Sequence, residues 1–441
     1  MGGKSVRFTV LELLNRMDKN AYSNLVLDSV IGSGELSQRD KSFVSRLFYG
    51  VLERKLTLEY IISKYSTRPL KKLDNSVVNI LKMGIYQLLY MDSVPDSAAV
   101  NESVLLARQC GKTSASGFVN AVLRNFIRDG KRIDLPKDKF ERLSVEYSCG
   151  TQLVKLLCKD YSYEKAENFL KNSLTTHKTY IRTNTIKTSS EKLIEALKEF
   201  GIKAELCTDV PDCILAENLG GVEELELFRS GMFHVQDLSS QICCKALDPK
   251  SGDTVIDVCA APGGKTFTFA EMMGNKGNIL ACDLHEKRVK LIENDAGRLG
   301  ISVIEAVQND AKVVNDGFPA ADKILCDVPC SGFGVIRSKP EIKYTDIEAV
   351  KGLPEVQYKI LSTASSYLKS GGELVYSTCT LNKAENDDVI DRFLSEHKDF
   401  EPVPAADWLG KQDYKLTIFP EEFDCEGFFI SKIRRRLKFE N

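Results

Sequence analysis

The sequence predicts a multidomain protein. An all-α helical bundle occupies residues 1–143, a small α+β connecting region 144–230, and an α/β, Rossmann-like domain 231–441. Three observations predict this order. Apolar residues recur at helical spacing up to about residue 145. In the rear half, strand-like and helix-like stretches alternate five times before a final β pair, the pattern of an open, mainly parallel sheet. Between them stands TVIDVCAAPGGKT, Thr254 to Thr266, where an apolar run meets a glycine turn and then a helix start. A doubly wound sheet builds a ligand crevice this way, because glycine lets the backbone approach and the helix N-terminus offers free N–H groups. At 441 residues, 43% hydrophobic and 28% charged, the chain exceeds the ~250–300 residues of a single core.

The front half reads as helices in series. Phe8, Leu11 and Leu14 share a face over Arg7–Arg16. Asp40 reads as the N-cap of a helix carrying Phe43, Val44, Leu47, Phe48, Val51 and Leu52. Asn75–Tyr90, Ala98–Cys110 and Gly117–Ile127 follow, with Pro95 between the first two. The tyrosines of this half read as packing residues. Arg108, Lys112, Arg124, Arg128, Lys131 and Arg132 form a late basic cluster, either a phosphate-contacting face or a solvated one.

In the middle region Leu153–Leu174 reads as helical and Thr179–Asn184 alternates like a strand. A helix over Ser190–Phe200 and a strand over Lys203–Cys207 follow. Beyond Gly231, Phe233–Asp237 leads into a helix over Ser239–Leu247. After the glycine stretch, strands are expected at Asn278–Leu284, Ser302–Val307, Lys323–Val328 and Glu373–Ser377. Helices are expected at Glu286–Leu299, Ile347–Leu368 with a break near Pro354, and Ala384–Glu396. Tyr414–Phe419 and Gly427–Ile433 close the chain as strands. The basic run Lys432, Arg434, Arg435, Arg436 and Lys438 alternates along the last of them. It reads equally as a phosphate contact and as charge guarding an edge strand.

Charge is uneven. Residues 1–150 hold 23 Lys+Arg against 16 Asp+Glu, while the remainder carries −9 within a net charge of −2. Any polyanion would be gripped partly by the front. No apolar run is long enough for a bilayer and no signal peptide is read, so a cytoplasmic protein is expected. Thirteen cysteines without a C-x-x-C pair and four scattered histidines argue for reduced thiols and against a metal site.

The glycine stretch is neither common nucleotide fingerprint. A phosphate-binding loop needs glycine where Cys259 stands, and G-x-G-x-x-G is absent. A loop that wraps a nucleoside-like cofactor without gripping a polyphosphate fits better. Ligands of such sheets bind at the carboxyl ends of the strands. Asp283, Asp310 and Asp327 fall at three successive ends. The first suits ribose hydroxyls and the second a purine amino group. Cys330, in Asp327-Val328-Pro329-Cys330, and Cys379, in Ser377-Thr378-Cys379-Thr380, fall at the ends of the fourth and fifth strands. Buried cysteine is usually a small apolar residue, which suits Cys282 and Cys326 inside strands. It suits Cys330 and Cys379 less, because they stand in polar turns. A thiolate adding at C6 of cytosine makes C5 nucleophilic enough to take a methyl group, so two thiols over one crevice point to that chemistry.

GMFHVQDLSSQ, DVCAAPGGKT, ACDLH, DVPCSGFGVIRSKPEIK and YSTCT followed by AEN together resemble the RNA cytosine-5 methyltransferases. The front half resembles the RNA-binding domain of the NusB antitermination factor. That fusion is the arrangement of the bacterial 16S rRNA methyltransferase B family. The resemblance implies a class I methyltransferase domain, S-adenosylmethionine as methyl donor with no metal, and 16S rRNA as partner. It also implies a monomer with no protein partner or membrane attachment, and cytosine 967 in standard 16S numbering as target. Cys259, Ala260, Ala261, Pro262, Gly263, Gly264 and Lys265 would line the cofactor, with Asp283 on its ribose and Asp310 by its adenine. Asp327 would lie between cofactor and base. Cys379 would attack, and Cys330 would assist product release; in the DNA enzymes the Pro-Cys cysteine attacks instead. Phe333 and Leu381-Asn382-Lys383 depart from the expected motifs, which bears on target choice rather than on the reaction. A tRNA cytosine-5 methyltransferase and a non-catalytic RNA-binding protein are the rival readings.

Overall fold

The computed structural model describes residues 5–17, 23, 26–27 and 36–437. The chain forms two compact units, Met1–Leu174 with Lys339–Asp346, and Thr175–Ser338 with Ile347–Asn441.

The first unit is helical. Val6–Met17, Gln38–Glu53, Lys55–Tyr65, Asn75–Tyr90, Asp96–Gln109 and Ser116–Arg128 make the bundle. Asn75–Tyr90 is central, buried continuously from Val77 to Leu88. One cap differs from expectation. Ser37, not Asp40, closes the second helix: its Oγ accepts from the Asp40 N–H. Asp40 stands in the first turn, where a carboxylate favours the helix dipole. Leu153–Leu174 divides into Thr151–Asp160 and Tyr163–Asn172, with Ser162 capping the second helix.

The short segment Lys339–Asp346 belongs to this unit although it comes from far along the chain. The Tyr344 hydroxyl donates to the Leu52 carbonyl at 2.6 Å and meets Ser148 Oγ at 3.0 Å. Lys343 is fully buried and its ammonium has no hydrogen-bond partner. Burial lowers its pKa to about 8, against the pull of Glu53.

The second unit holds two sheets. In the first, β1 (Thr179–Thr183), β2 (Lys203–Leu206), β3 (Cys213–Glu217) and β4 (Phe233–Val235) run in the order β2-β3-β1-β4, all antiparallel. The strands β3 and β4 were not legible in the sequence. β3 is a Cys-Ile-Leu-Ala run without alternation, and β4, three residues long, stands in the stretch that the sequence marks as leading into a helix.

The larger sheet takes β5 (Thr254–Asp257), β6 (Asn278–Asp283), β7 (Ile304–Gln308), β8 (Ala321–Asp327) and β9 (Leu368–Thr378) in parallel. Their spatial order is β7-β6-β5-β8-β9. The chain winds outward from β5 one way, then crosses and winds the other way, so the topological switch lies between β5 and β8. Val255 packs in the core on one face and the neighbouring Ile256 in the core on the other. A parallel strand covered on both faces requires such a run. The final strand β12 (Phe428–Arg435) pairs antiparallel with β9, and β10 (Phe400–Pro402) and β11 (Lys415–Ile418) pair with its other side.

The basic run therefore does not guard an edge. Lys432 and Arg434 pair with Glu373, and Arg435 with Asp399. Burial opposes ionisation of Glu373, but Lys323, Arg434 and Lys432 together hold its carboxyl down to about 2. Lys438 lies outside the described residues. In the helical cluster Lys112 pairs with Asp74 and Lys131 with Asp96.

A buried ion pair ties the smaller sheet to the helix that follows the glycine loop. Arg182 on β1 donates from Nε to Glu271 Oε2 at 2.9 Å, and His234 Nε2 lies 3.4 Å from Oε1. Glu271 is in the helix Gly264–Met272 that follows the glycine loop. Removing one partner strands the other charge in the interior. Glu271→Ala is expected to lower unfolding free energy by about 3–5 kcal/mol, measured by urea denaturation.

Candidate active site

The glycine loop leaves β5 at Asp257. The Ala260 N–H donates to the Cys282 carbonyl at 2.7 Å, which pins the loop against β6. Gly263 has φ +113°, and a Cβ there would strike the Phe267 ring. Only glycine fits that turn. Gly264 then starts the helix.

Cys259, Ala260, Ala261, Pro262, Gly264, Lys265 and Asp327 line one cavity of about 230 Å³. Gln236, Asp237 and Asp257 line it too. Lys265 Nζ donates to Asp327 Oδ2 at 2.7 Å, and Ser377 Oγ donates to Oδ1 at 2.8 Å. Burial opposes the Lys265 charge, but the Asp327 carboxylate outweighs it and holds the ammonium well above its usual value.

The two cysteines lie side by side. Cys330 Sγ and Cys379 Sγ are 3.3 Å apart, both half-buried. They stand beyond the carboxyl ends of adjacent parallel strands, the edge of the sheet from which the glycine loop also emerges. The loop bearing Cys330 reaches that place through glycines. The Gly334 N–H donates to the Cys379 carbonyl at 2.9 Å, and the Gly427 N–H donates to the Gly334 carbonyl at 3.0 Å. A Cβ on Gly334 would overlap the Gly427 carbonyl. Contact with Cys379, burial and the nearby Glu385 carboxylate push the Cys330 thiol well up.

The other acids are more dispersed. Asp283 is buried at the end of β6, accepts from the His285 N–H and pairs with Arg288 at 3.1 Å. Asp310 lines a separate open depression beside Leu284 and Val313. Nothing in their spacing revealed that separation. Sequence reasoning missed Asp237, Asp257 and Glu385. Asp257 reads as the last residue of a buried strand, and only the fold shows it facing a cavity.

The wall of that cavity tests what it can hold. Asp237, Asp257 and Asp327 face it, with Lys265 already engaged by Asp327. Such a wall repels a polyphosphate and suits a ligand bearing positive charge, as the sulfonium and ammonium of S-adenosylmethionine do. Asp257 Oδ1 is buried without a hydrogen-bond partner, so an acceptor stands ready for a ligand donor, whereas Asp237 Oδ2 lies 3.7 Å from His177 Nε2.

The fold and this cleft define a Rossmann-like methyltransferase domain, attached to a NusB-type helical domain and a small middle domain. Comparison with known proteins is concordant. Residues 244–434 match the family described as 16S rRNA methyltransferase RsmB/F, residues 4–128 the NusB family, and residues 151–223 the ferredoxin-like domain of RsmF/B-like methyltransferases. The chain is 39% identical to the probable ribosomal RNA small subunit methyltransferase B of Bacillus subtilis (strain 168), over 98% of this chain and 99% of that one. It is 32% identical to the ribosomal RNA small subunit methyltransferase B of Escherichia coli O1:K1 / APEC, covering 91% and 92%. The crystal structure of PH0851 superposes with a TM-score of 0.83 over 98% of this chain and all of that one, at 24% identity. NSun6 from Pyrococcus horikoshii, crystallised with SFG, superposes with a TM-score of 0.59 at 25% identity, covering 66% and 99%. The chain belongs to the ribosomal RNA small subunit methyltransferase B family. Among the described residues no group of side chains is placed to hold a metal ion, and no helix is long and apolar enough to cross a membrane.

Burial pushes the Asp257 carboxyl up to about 7. A carboxyl with a raised folded pKa binds its proton in the native state after the unfolded chain has released it. Stability then falls as pH rises from the ordinary Asp value toward 7. The melting temperature of the ligand-free protein is expected to drop between pH 4 and 7. Asp257→Asn is expected to flatten that fall, measured by calorimetry across this range.

Proposed function

We propose that this chain methylates C5 of a cytosine in 16S rRNA, with S-adenosylmethionine as donor, through a covalent bond between Cys379 and C6. The observation that carries the reading is the pair of sulfurs 3.3 Å apart at the ends of β8 and β9, beside a cavity suited to a cationic nucleoside. The target base must leave its stack to reach them.

The loop Cys259–Lys265 would line the cofactor and Asp283 would take its ribose hydroxyls; Asp310, in the separate depression beside Leu284, would meet its adenine where the cofactor extends out of the cavity. Bound S-adenosylmethionine supplies an electrophilic methyl group. The Cys379 thiolate adds at C6 of cytosine, and electrons of the C5=C6 bond become available at C5. Asp327, held by Lys265 and Ser377, accepts from the exocyclic amino group. C5 takes the methyl group as its bond to the donor sulfur breaks, leaving S-adenosylhomocysteine as product. Once the adduct has consumed the Cys379 charge, the Cys330 thiol releases its own proton to solvent; the resulting thiolate takes the C5 proton, the C5=C6 bond re-forms, and Cys379 leaves C6 as thiolate. The kinship with ribosomal RNA methyltransferases supports 16S rRNA as substrate, and cytosine 967 is the proposed site.

Incubation of unmodified 16S rRNA with methyl-labelled cofactor is expected to place label on cytosine C5. Bisulfite sequencing of 16S rRNA from cells with and without the gene is expected to show one protected cytosine that disappears. Labelling of tRNA in place of 16S rRNA would redirect the substrate assignment, and transfer to no RNA would refute the activity.

The thiols are distinguishable. Cys379→Ala is expected to abolish turnover and to form no RNA adduct. Cys330→Ala is expected to accumulate a covalent protein–RNA complex, seen as a shifted band on a denaturing gel. Exchange of the two outcomes would exchange the two roles.

A further inference from the structure

Both cysteine loops converge on one buried carboxylate that no role above includes. Glu385 is fully buried at the start of the segment after Thr380. Its Oε2 accepts from the Ser331 N–H at 2.9 Å and from Gln357 Nε2 at 2.9 Å. Its Oε1 accepts from Ser331 Oγ at 2.6 Å and from Asn382 Nδ2 at 2.9 Å. A buried ionised carboxylate with four donors is fully satisfied, and such charge-assisted bonds are short and strong.

The network brackets each sulfur on both sides. Before Cys330, Gln357 Nε2 also donates to the Pro329 carbonyl at 2.9 Å. After it, Ser331 is held by Glu385 through backbone and hydroxyl alike. Ser331 Oγ also meets Thr380 Oγ1 at 2.7 Å, which ties the residue after Cys330 to the residue after Cys379. The adjacent Asn386 completes the second bracket. It accepts from Thr378 Oγ1 at 2.6 Å and donates to the Thr380 carbonyl at 2.9 Å. Two loops from different strands would otherwise move independently, and loops are the mobile parts of such folds.

We propose that Glu385 is the positioning residue that holds the Cys330 and Cys379 sulfurs in register. It does so by fixing Ser331 and, through it, Thr380. The role rests on the reading of the two thiols given above. An isosteric amide breaks the arrangement in either orientation. One of its positions becomes a donor, facing either the Ser331 N–H and Gln357 Nε2 or the Ser331 hydroxyl and Asn382 Nδ2. Asn382 cannot simply turn over, because its Oδ1 already accepts from the Ala384 N–H at 3.2 Å.

The distance between the sulfurs can be read chemically, without RNA. Hydrogen peroxide joins two thiols held in contact: an S–S bond forms, two S–H bonds and the O–O bond break, and two waters leave. The rate of Cys330–Cys379 disulfide formation, followed by peptide mass spectrometry, therefore reports their register. In Glu385→Gln, cross-linking is expected to slow severalfold when rates are followed across pH and compared at equal thiolate fraction, which removes the effect of the lost carboxylate charge on Cys330. S-adenosylmethionine affinity, measured by titration calorimetry, is expected to stay at the wild-type value. The kcat for RNA methylation is expected to fall about 100-fold, the effect of a misplacement near 1 Å, with KM for RNA unchanged. Equal cross-linking rates in variant and wild type would overturn the proposal. So would a parallel loss of cofactor affinity, which would mark a general structural role. Should Glu385→Gln fail to fold, Ser331→Ala removes the bridging hydroxyl alone, and an unaltered cross-linking rate there would overturn the proposal equally. Because cross-linking and cofactor binding need no RNA, they still test Glu385 if the chain proves not to methylate cytosine.

Discussion

The cleft depends on one carboxylate reaching two neighbours. Asp327 stands at the end of β8, takes the Lys265 ammonium from the glycine loop and the Ser377 hydroxyl from β9. Three strand ends are thereby fixed to one another at the topological switch. The strand register brings them level: Asp257 is opposite Leu325, and Asp327 opposite Ser377. A parallel sheet guarantees that the loops emerge on one edge, but not that they touch. The ion pair supplies the contact, and partial burial keeps it from being screened as a surface pair would be.

That contact also divides the acids of the cavity into two kinds. Asp327 has a cation beside it. Asp257 has burial, a single hydroxyl from Thr266 at 2.7 Å and a bare Oδ1, so near neutrality it retains a proton for part of the time. Asp237 is likewise raised by burial. A positively charged ligand entering this wall would draw both toward ionisation. Ligand binding and proton release are then linked, whatever the details of the pose.

Much of this was legible in the sequence because period and turn chemistry write themselves into it. The alternation of Val255 and Ile256 across a two-faced sheet, the Pro-Gly-Gly turn, and the strand-end cysteines all survive inspection of residues alone. The motifs carried the family assignment. What was not legible is long-range. The strands β4 and β10 have three residues each, too few for a period, β3 is a Cys-Ile-Leu-Ala run without alternation, and β12 could not be told from an edge strand, because its partners lie elsewhere in the chain. The segment Lys339–Asp346 reads as the tail of the Pro-Cys motif, yet Lys343 is buried within the helical unit and the half-buried Tyr344 donates to its Leu52 carbonyl. Ser37 displaced Asp40 as a cap because both are good cap residues three positions apart, and local sequence does not rank them. Asp257 looked like strand filling, since no spacing rule reports which strand end opens on a cavity.

The closeness of the thiols imposes an order on the proposed reaction. Two sulfurs at 3.3 Å cannot both ionise cheaply, because the second charge would sit against the first. The first thiolate is stabilised by the S–H of its neighbour, and that neighbour is held protonated by the same charge. If Cys379 is the thiolate, contact with it, burial and the Glu385 carboxylate all oppose ionisation of Cys330. Bond formation at C6 consumes the negative charge on Cys379. The restraint on Cys330 then weakens, and its thiol ionises more readily than it did in the free enzyme. A group that cannot act as base before the adduct exists becomes able to do so once the adduct has formed. Proximity of the sulfurs thus sets the sequence of attack and release, and any residue that fixes their separation sets it too.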